Sequence, residues 1–298
     1  MQLNTVFLEN IRTIYKESGQ FWLDTLPTKI EQLALEWQFR FVKPLPDLSY
    51  SFVGLVRRDT TGQTAILKIA PAAQDLPRGL RWLKAFHNVV PVIFEQDEVH
   101  NAVLMEHLEP GYTLKKLVNA GEDDRASKVI CSVIRDLQSQ KTSDPSFPHI
   151  ATLAHSFAVL KGRFDEALRT KALTLFEELT RDRTHDVLLH GDLHHDNILR
   201  AGDTWKAIDP HGLLGDPAAE AAAMIRNPYD GFPRDKPLIR VFERRLHILA
   251  EDLPFDRERI KAWCFCITVL SAAWTFEGYG KVTDSEKEFA SALDRAKI

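Results

Sequence analysis

The residues best suited to chemistry lie in one short segment of the second half of the chain. Residues 189–199 read LHGDLHHDNIL, and a further acid, Asp209, follows within the run AIDP. Apolar residues occupy both ends of the segment, whereas its centre holds three histidines, two aspartates and an asparagine. Crowding these groups into a short loop costs desolvation free energy unless they face a ligand, a metal or water. The segment is therefore the strongest candidate for a functional site.

The spacing within this segment suits phosphoryl transfer. That reaction needs a carboxylate to accept a hydroxyl proton and aim the nucleophile, and oxygen ligands for the Mg²⁺ that bridges the phosphates. In protein kinases the catalytic Asp and the metal-binding Asn are five residues apart. Asp192 and Asn197 have this spacing, and Asp209 follows a short predicted strand. The pattern predicts Asp192 as the catalytic base and Asn197 and Asp209 as ligands of Mg²⁺.

Two other functions use the same residues. A metal-dependent hydrolase would place the imidazoles of His190, His194 and His195, with Asp196, around Zn²⁺. A non-catalytic nucleotide-binding module would keep the metal ligands without turnover. Asp216 stands before Pro217 and a predicted helix, which favours a helix N-cap over a catalytic role.

The elements around the segment predict an α+β fold of two lobes. Apolar residues at helical spacing predict a helical extension over residues 1–37, with a new helix starting at the Leu26-Pro27-Thr28 break. Residues 38–106 alternate as short strands around one helix, and residues 107–298 are mainly helical apart from strand-like pieces between 186 and 217. A small β-rich half followed by a larger helical half fits a small antiparallel N-lobe and a helical C-lobe.

Composition narrows the class of protein. The net charge is −4, which gives no sign of nucleic-acid binding. Three cysteines form no CxxC pair, which favours reduced thiols in a cytoplasmic protein. We find no signal peptide and no run of 18 apolar residues, so we expect no membrane span. Residues 186–298 carry 19 acidic and 15 basic residues, so the whole acidic excess falls in the last part of the chain.

The sequence resembles the aminoglycoside phosphotransferase family of the protein-kinase-like superfamily, and within it the branch that includes streptomycin 6-kinases and hydroxyurea phosphotransferases. The motifs that carry the resemblance are HGDLxxxN at 190–197, IDP at 208–210 and LGDP at 214–217. Shorter matches extend it over roughly residues 45–280. They are VRR at 56–58, LK at 67–68, LMEHLEPG at 104–111, RNP at 226–228, and the tryptophans Trp263 and Trp274.

The resemblance implies a bilobal kinase fold, the cofactors ATP and Mg²⁺, and roles for further residues. Lys68, at the end of the third strand, would contact the α- and β-phosphates. Residues 104–108, including Glu106 and Leu108, would form the hinge against the adenine through backbone groups. Two features depart from the family pattern. The helix after Lys68 lacks its usual Glu partner, with Leu76 in that place, and the phosphate loop, residues 46–53, holds Ser49 and Ser51 but no glycine.

The family and the charge distribution together predict a small-molecule acceptor. We expect an aminoglycoside-like or other polyhydroxylated, cationic compound bound by the C-terminal lobe. Carboxylates pair well with planar guanidinium groups, and an aromatic face attracts a cation. The candidate acceptor residues are Asp230, Glu277 and Trp274.

Overall fold

The computed structural model describes residues 3–46, 48–71, 75–233 and 235–297. The chain divides into two compact units. The first comprises Met1–Lys84 and Val90–Glu109, and the second comprises Ala85–Val89 and Pro110–Ile298. The N-terminal helix falls in the same unit as the sheet that follows it, because the two share one hydrophobic core. The predicted domains, with divisions at 37/38 and 106/107, stay a prediction.

The first unit is built on a five-stranded antiparallel sheet. Its strands follow in the order β1-β2-β3-β5-β4. Their bounds are β1 Phe39–Pro44, β2 Phe52–Arg58, β3 Thr64–Ile69, β4 Ile93–Asp97 and β5 Ala102–Glu106. Side chains alternate between buried and partly exposed along β2 and β3, as expected where one face of a sheet covers a core. Helix α2, Leu76–Ala85, belongs to the first unit except for its last residue.

The N-terminal helix differs from the prediction. Helix α1 runs Thr5–Glu36 and includes Pro27, where we expected a new start. Its interruption falls instead at Lys16, whose φ of 51° is not helical. Buried apolar residues on both sides of Lys16 join the core of the sheet, so packing keeps helical structure on each side of the proline.

The second unit is mainly helical. Its α-helices are α3 Lys115–Asn119, α4 Asp123–Ser139, α5 Glu166–Leu179, α6 Leu238–Asp252, α7 Arg257–Tyr279 and α8 Asp284–Arg295. The unit also contains 3₁₀-helical segments, among them Ile150–Leu160, Pro217–Ala221 and Ala223–Arg226. Helix α7 is long and apolar enough to cross a membrane by length and composition alone. Most of it is buried against other helices of this unit, as in a core helix.

Two small sheets interrupt the helices and frame the candidate site. In one, β7 (Val187–Leu189) pairs with β10 (Leu213–Gly215). In the other, β6 (Pro110–Thr113) pairs with β8 (Ile198–Ala201), which pairs with β9 (Thr204–Ala207). Strand β6 was not predicted from the sequence, because its pairing partner lies almost 90 residues further along the chain.

Candidate active site

The candidate catalytic segment, called the catalytic loop below, is the loop between β7 and β8. Several hydrogen bonds hold its first residue, His190. His190 is buried, and its ring Nε2 lies 2.8 Å from the carbonyl oxygen of Ile208. Its Nδ1 accepts a hydrogen bond from the Asp192 backbone N–H at 3.3 Å. The ring is therefore neutral with its proton on Nε2, and burial lowers its pKa to about 4.

A carboxylate that the sequence analysis did not single out holds the same loop. Glu220 is buried and accepts the backbone N–H of His190 at 2.7 Å and that of Gly191 at 3.2 Å. Burial raises the pKa of Glu220 to about 7, against the opposing effect of these two donors. Its role is to fix the backbone on which the next residue, Asp192, is carried.

Asp192 lies within a cluster of polar groups. The Asn197 Nδ2 atom donates to the Asp192 carbonyl oxygen at 2.9 Å and lies 3.4 Å from its carboxylate Oδ2. The ring Nε2 of His194 lies 3.4 Å from the same carboxylate oxygen. Burial opposes ionisation of Asp192, but the hydrogen bond and charge of His194, with the charges of His211 and Arg226, hold its pKa well below the usual range. Asp192 is therefore an ionised acceptor at neutral pH.

The two predicted metal ligands lie at the same end of one hairpin. Asn197 directly precedes β8 and Asp209 follows β9, and the ladder continues past the strands through a bond of 2.9 Å from Ile208 N to the Asn197 carbonyl. Asp209 has a φ of 57°, an uncommon conformation for a residue other than glycine. Because Asn197 uses its amide nitrogen on Asp192, the atom it offers to a metal is its oxygen. Carboxylate and amide oxygens are the donors that Mg²⁺ prefers, so these residues fit that ion.

The residues predicted to bind nucleotide lie in the first unit. Lys68 is on β3, the central strand, paired with Val53 on β2 and Val103 on β5. Glu106 ends β5, and its carboxylate accepts the Val92 N–H at 3.0 Å. Leu108 is buried just beyond it.

The predicted phosphate loop connects β1 to β2. Within it, Ser49 is exposed and Ser51 is partly buried, while Asp47 lies outside the described residues. Both serines lie between these strands, and their contact with phosphate stays a prediction.

The predicted acceptor residues lie in the second unit. Trp274 and Glu277 are three residues apart on α7, so they share one face of that helix. Trp274 is partly buried and Glu277 is exposed. Asp230 lies on an exposed loop, where its carboxylate is 2.7 Å from the Lys115 ammonium. A cationic acceptor would have to compete with Lys115 for this carboxylate.

Comparison with known proteins identifies the family. A sequence model described as "Aminoglycoside/hydroxyurea antibiotic resistance kinase" matches residues 42–278. The chain belongs to this family. A streptomycin 6-kinase from Streptomyces glaucescens is 27% identical over 273 residues, which cover 88% of this chain and 87% of the relative. A streptomycin 3''-kinase from Klebsiella pneumoniae is 35% identical over 178 residues, 58% of this chain and 66% of the relative.

A solved structure supports the fold of this kinase. A choline/ethanolamine kinase family protein from Mesorhizobium loti superposes with a TM-score of 0.63 at 14% identity, over 92% of this chain and 95% of the other. The predicted class, a protein-kinase-like α+β fold with a β-rich part and a helical part, is thereby confirmed. The match to the family model confirms the assignment to the aminoglycoside phosphotransferases. Like its relatives, this kinase transfers a phosphoryl group to a hydroxyl of a small molecule.

The hydrolase alternative is not favoured. Both ring nitrogens of His190 are engaged by backbone groups of its own unit. His195 is buried, and neither of its ring nitrogens has a hydrogen-bond partner in the part of the chain that the structure describes. Within residues 3–46, 48–71, 75–233 and 235–297, no group of three His, Cys, Asp or Glu side chains could hold a metal.

The prediction from spacing missed Glu220, although the sequence held a signal for it. Glu220 is the only charged residue in the run PAAEAAAMI, residues 217–225. An acid inside a buried apolar run needs hydrogen-bond partners, and here they are the backbone N–H groups of the catalytic loop. Asp216, at the start of this run, is confirmed as an N-cap by its bond to the Ala218 N–H at 3.0 Å.

Proposed function

We propose that this kinase transfers the γ-phosphoryl group of ATP to a hydroxyl of a streptomycin-like aminoglycoside, with Asp192 as the catalytic base. The observation that carries the proposal is the arrangement of Asp192 and Asn197. The same amide nitrogen contacts the backbone and the carboxylate of Asp192, so the candidate base and the candidate metal ligand are fixed relative to each other. Phosphoryl transfer depends on such positioning more than on covalent chemistry.

Asp192 would accept a hydrogen bond from the acceptor hydroxyl and aim its oxygen at the phosphorus. The low pKa makes it a weak base but keeps it ionised. A weak base is sufficient if the transition state is loose, because the hydroxyl proton then leaves late. Its main contribution is therefore orientation, which requires the rigid loop that His190 and Glu220 provide.

Asn197 and Asp209 would hold Mg²⁺ through their side-chain oxygens. When bound, this ion neutralises negative charge on the phosphates. In the first unit, Lys68 would pair with the α- and β-phosphates, Ser49 and Ser51 would contact phosphate oxygens, and residues 104–108 would meet the adenine. We expect loss of Lys68 to raise the KM for ATP more than it lowers kcat, because its proposed contact is with the phosphates of the nucleotide.

The acceptor class is inferred from the relatives and from charge. Two relatives are streptomycin kinases that act at different positions of that molecule, according to their names. The acidic excess of residues 186–298 and the placement of Trp274 and Glu277 on one face of α7 are compatible with a cationic acceptor. We propose a cytoplasmic enzyme that acts on such a small molecule, without nucleic-acid or membrane partners.

An ATP-consumption screen over aminoglycosides, hydroxyurea, amino alcohols and neutral sugars tests the proposal, with Asp192→Asn as the blank. Phosphorus NMR of the product identifies the phosphorylated hydroxyl. We expect turnover with streptomycin and none with the blank. Turnover on neutral sugars alone would reject the aminoglycoside assignment, whereas binding of MgATP without turnover on any compound would favour a non-catalytic nucleotide-binding protein.

A further inference from the structure

The start of helix α1 contacts the phosphate loop directly. The side-chain oxygen of Asn4 caps the helix by accepting the Phe7 N–H at 2.6 Å. Its amide nitrogen points the other way and donates to the carbonyl of Pro46 at 2.7 Å, with the carbonyl of Leu48 at 3.5 Å. One side chain therefore joins the first turn of α1 to a loop more than 40 residues further along the chain.

A second asparagine extends this contact. The amide nitrogen of Asn10 donates to the carbonyl of Ser49 at 3.3 Å. Asn4 and Asn10 thus reach three carbonyl groups of the loop, and the last belongs to one of the serines proposed to meet phosphate. Two side chains on one helix restrain more of the loop than a single surface hydrogen bond could.

Apolar packing also joins α1 to the loop. Phe7 and Ile11, on the same stretch of α1, are fully buried. They belong to one core cluster with Leu48 of the loop and Phe52 at the start of β2. Because Phe7 and Ile11 are one helical turn apart, this face of α1 covers the loop while the asparagines bind its carbonyls.

The geometry of the peptide bond indicates which side of the loop faces a ligand when its carbonyls face α1. In a trans peptide the C=O and the following N–H point in opposite directions. The Leu48 carbonyl faces Asn4, so the Ser49 N–H leaves that peptide on the side away from α1. A glycine-rich phosphate loop achieves close approach through conformational freedom. This loop has no glycine between Pro46 and Val53, and its backbone is fixed from outside instead.

From these contacts we infer that Asn4 and Asn10 are positioning residues for nucleotide binding. They hold the backbone at Pro46, Leu48 and Ser49 so that Ser49 meets the phosphates, and the N-terminal helix is thereby part of the nucleotide-binding unit. The inference rests on the proposed role of this loop in binding the phosphates of ATP.

The test compares variants at these two positions by MgATP titration calorimetry and by steady-state kinetics with streptomycin. Asn4→Ser keeps an oxygen that can cap α1 but is too short to reach the Pro46 carbonyl, and Asn10→Ala removes the second contact. Arg12→Ala is the control, because Arg12 bonds to Gln20 of the same helix on an exposed side.

We expect the double variant, Asn4→Ser with Asn10→Ala, to raise both the Kd and the KM for ATP about threefold to tenfold. The kcat and the KM for the acceptor should stay near those of the wild type and of Arg12→Ala.

The inference is overturned if the double variant melts at a lower temperature yet binds MgATP as tightly as the wild type, because the asparagines would then act on stability alone. Should the double variant fail to fold, the same two measurements on Asn10→Ala alone decide between binding and stability. Wild-type binding of MgATP without turnover would reject the proposed function while leaving the binding comparison valid. A wild type that binds no MgATP would overturn both.

Discussion

The catalytic loop and the loop that carries Asp230 belong to the same unit but are held in contrasting ways. Buried groups hold the catalytic loop: Glu220 binds two of its backbone N–H groups, and the His190 ring binds backbone on both sides. Asp230 is held by an ion pair with Lys115, and its side chain is 93% exposed. Buried hydrogen-bonded networks give a fixed geometry, whereas exposed ion pairs contribute little and rearrange easily.

This contrast matches what each region is proposed to do. Transfer of a phosphoryl group tolerates only small errors in the position of the base, so its loop must be rigid. A loop that recognises the acceptor can vary without loss of the chemistry, as is common for binding loops on a fixed scaffold. Loss of the proposed base should therefore change kcat strongly, and variants around Asp230 should change only acceptor binding.

The largest effect is expected from Asp192→Asn. Loss of the carboxylate should lower kcat about 10²- to 10⁴-fold while MgATP still binds, because Asp192 acts on the acceptor hydroxyl. Asp196→Asn, in the same loop, is the control and should retain most activity. Steady-state kinetics with calorimetric titration of MgATP checks both, and a wild-type kcat in Asp192→Asn would remove this residue from the role of base.

A smaller but still large effect is expected at the metal ligands. Asn197→Ala and Asp209→Ala should each weaken binding of MgATP, and slow turnover, by about 10- to 100-fold. Asp203→Ala removes an acid at the opposite, turn end of the same hairpin and should change neither quantity. Activity measured against Mg²⁺ concentration is the readout. If the Mg²⁺ dependence were the same in all three variants and the wild type, the ligand assignment would be wrong.

The Glu220→Gln variant tests how the buried Glu220 carboxylate, which holds the catalytic loop, changes the stability of the folded protein with pH. In the folded protein, burial raises the pKa of Glu220 from the ordinary value of 4.5 to about 7. As pH rises between these values the unfolded chain releases this proton first, so unfolding becomes more favourable. The free energy of unfolding of the wild type, minus that of Glu220→Gln, should therefore fall by up to about 3 kcal/mol between pH 4.5 and pH 7. Above pH 7 this difference should stay constant.

Urea unfolding of both proteins from pH 5 to pH 8 measures this difference. Taking the difference removes the contribution of His190, which is common to both proteins and has the opposite sign. Its pKa is lowered to about 4, so it costs stability as pH falls through its unfolded value of 6.5. A difference that stays constant across the range would show that Glu220 is ionised in the folded protein throughout.

The smallest effect is expected at the exposed ion pair. Asp230→Asn should raise the KM for a cationic acceptor about twofold to fivefold, and Lys115→Met should lower it by a similar factor, because Lys115 competes for the same carboxylate. The melting temperature and the kcat should change little in either variant. Changes in the same direction for both variants would exclude Asp230 as a direct partner of the acceptor.

The sequence by itself determined which residues are candidates for the catalytic set, and it determined the order of most elements. Asp192 and Asn197 lie five residues apart in one loop, and Asp209 follows the hairpin that begins at Asn197. Short chain segments between strands leave few ways to place such residues, so their spacing alone predicts that they converge. The short strands between residues 38 and 106 were also predicted from the sequence, and β2 and β3 show the local alternation of side chains on which that prediction depends.

Only the tertiary structure decided which distant groups support that set. Glu220 reaches the His190 N–H across 30 residues, and Asn4 reaches Pro46 across 42. The pairing of β6 with β8 and the continuation of α1 through Pro27 also depend on partners far along the chain. Contacts of this kind are not encoded by local spacing, because they depend on how whole elements pack. A buried carboxylate or a capping asparagine gains its specific partner only when the core brings the two segments together.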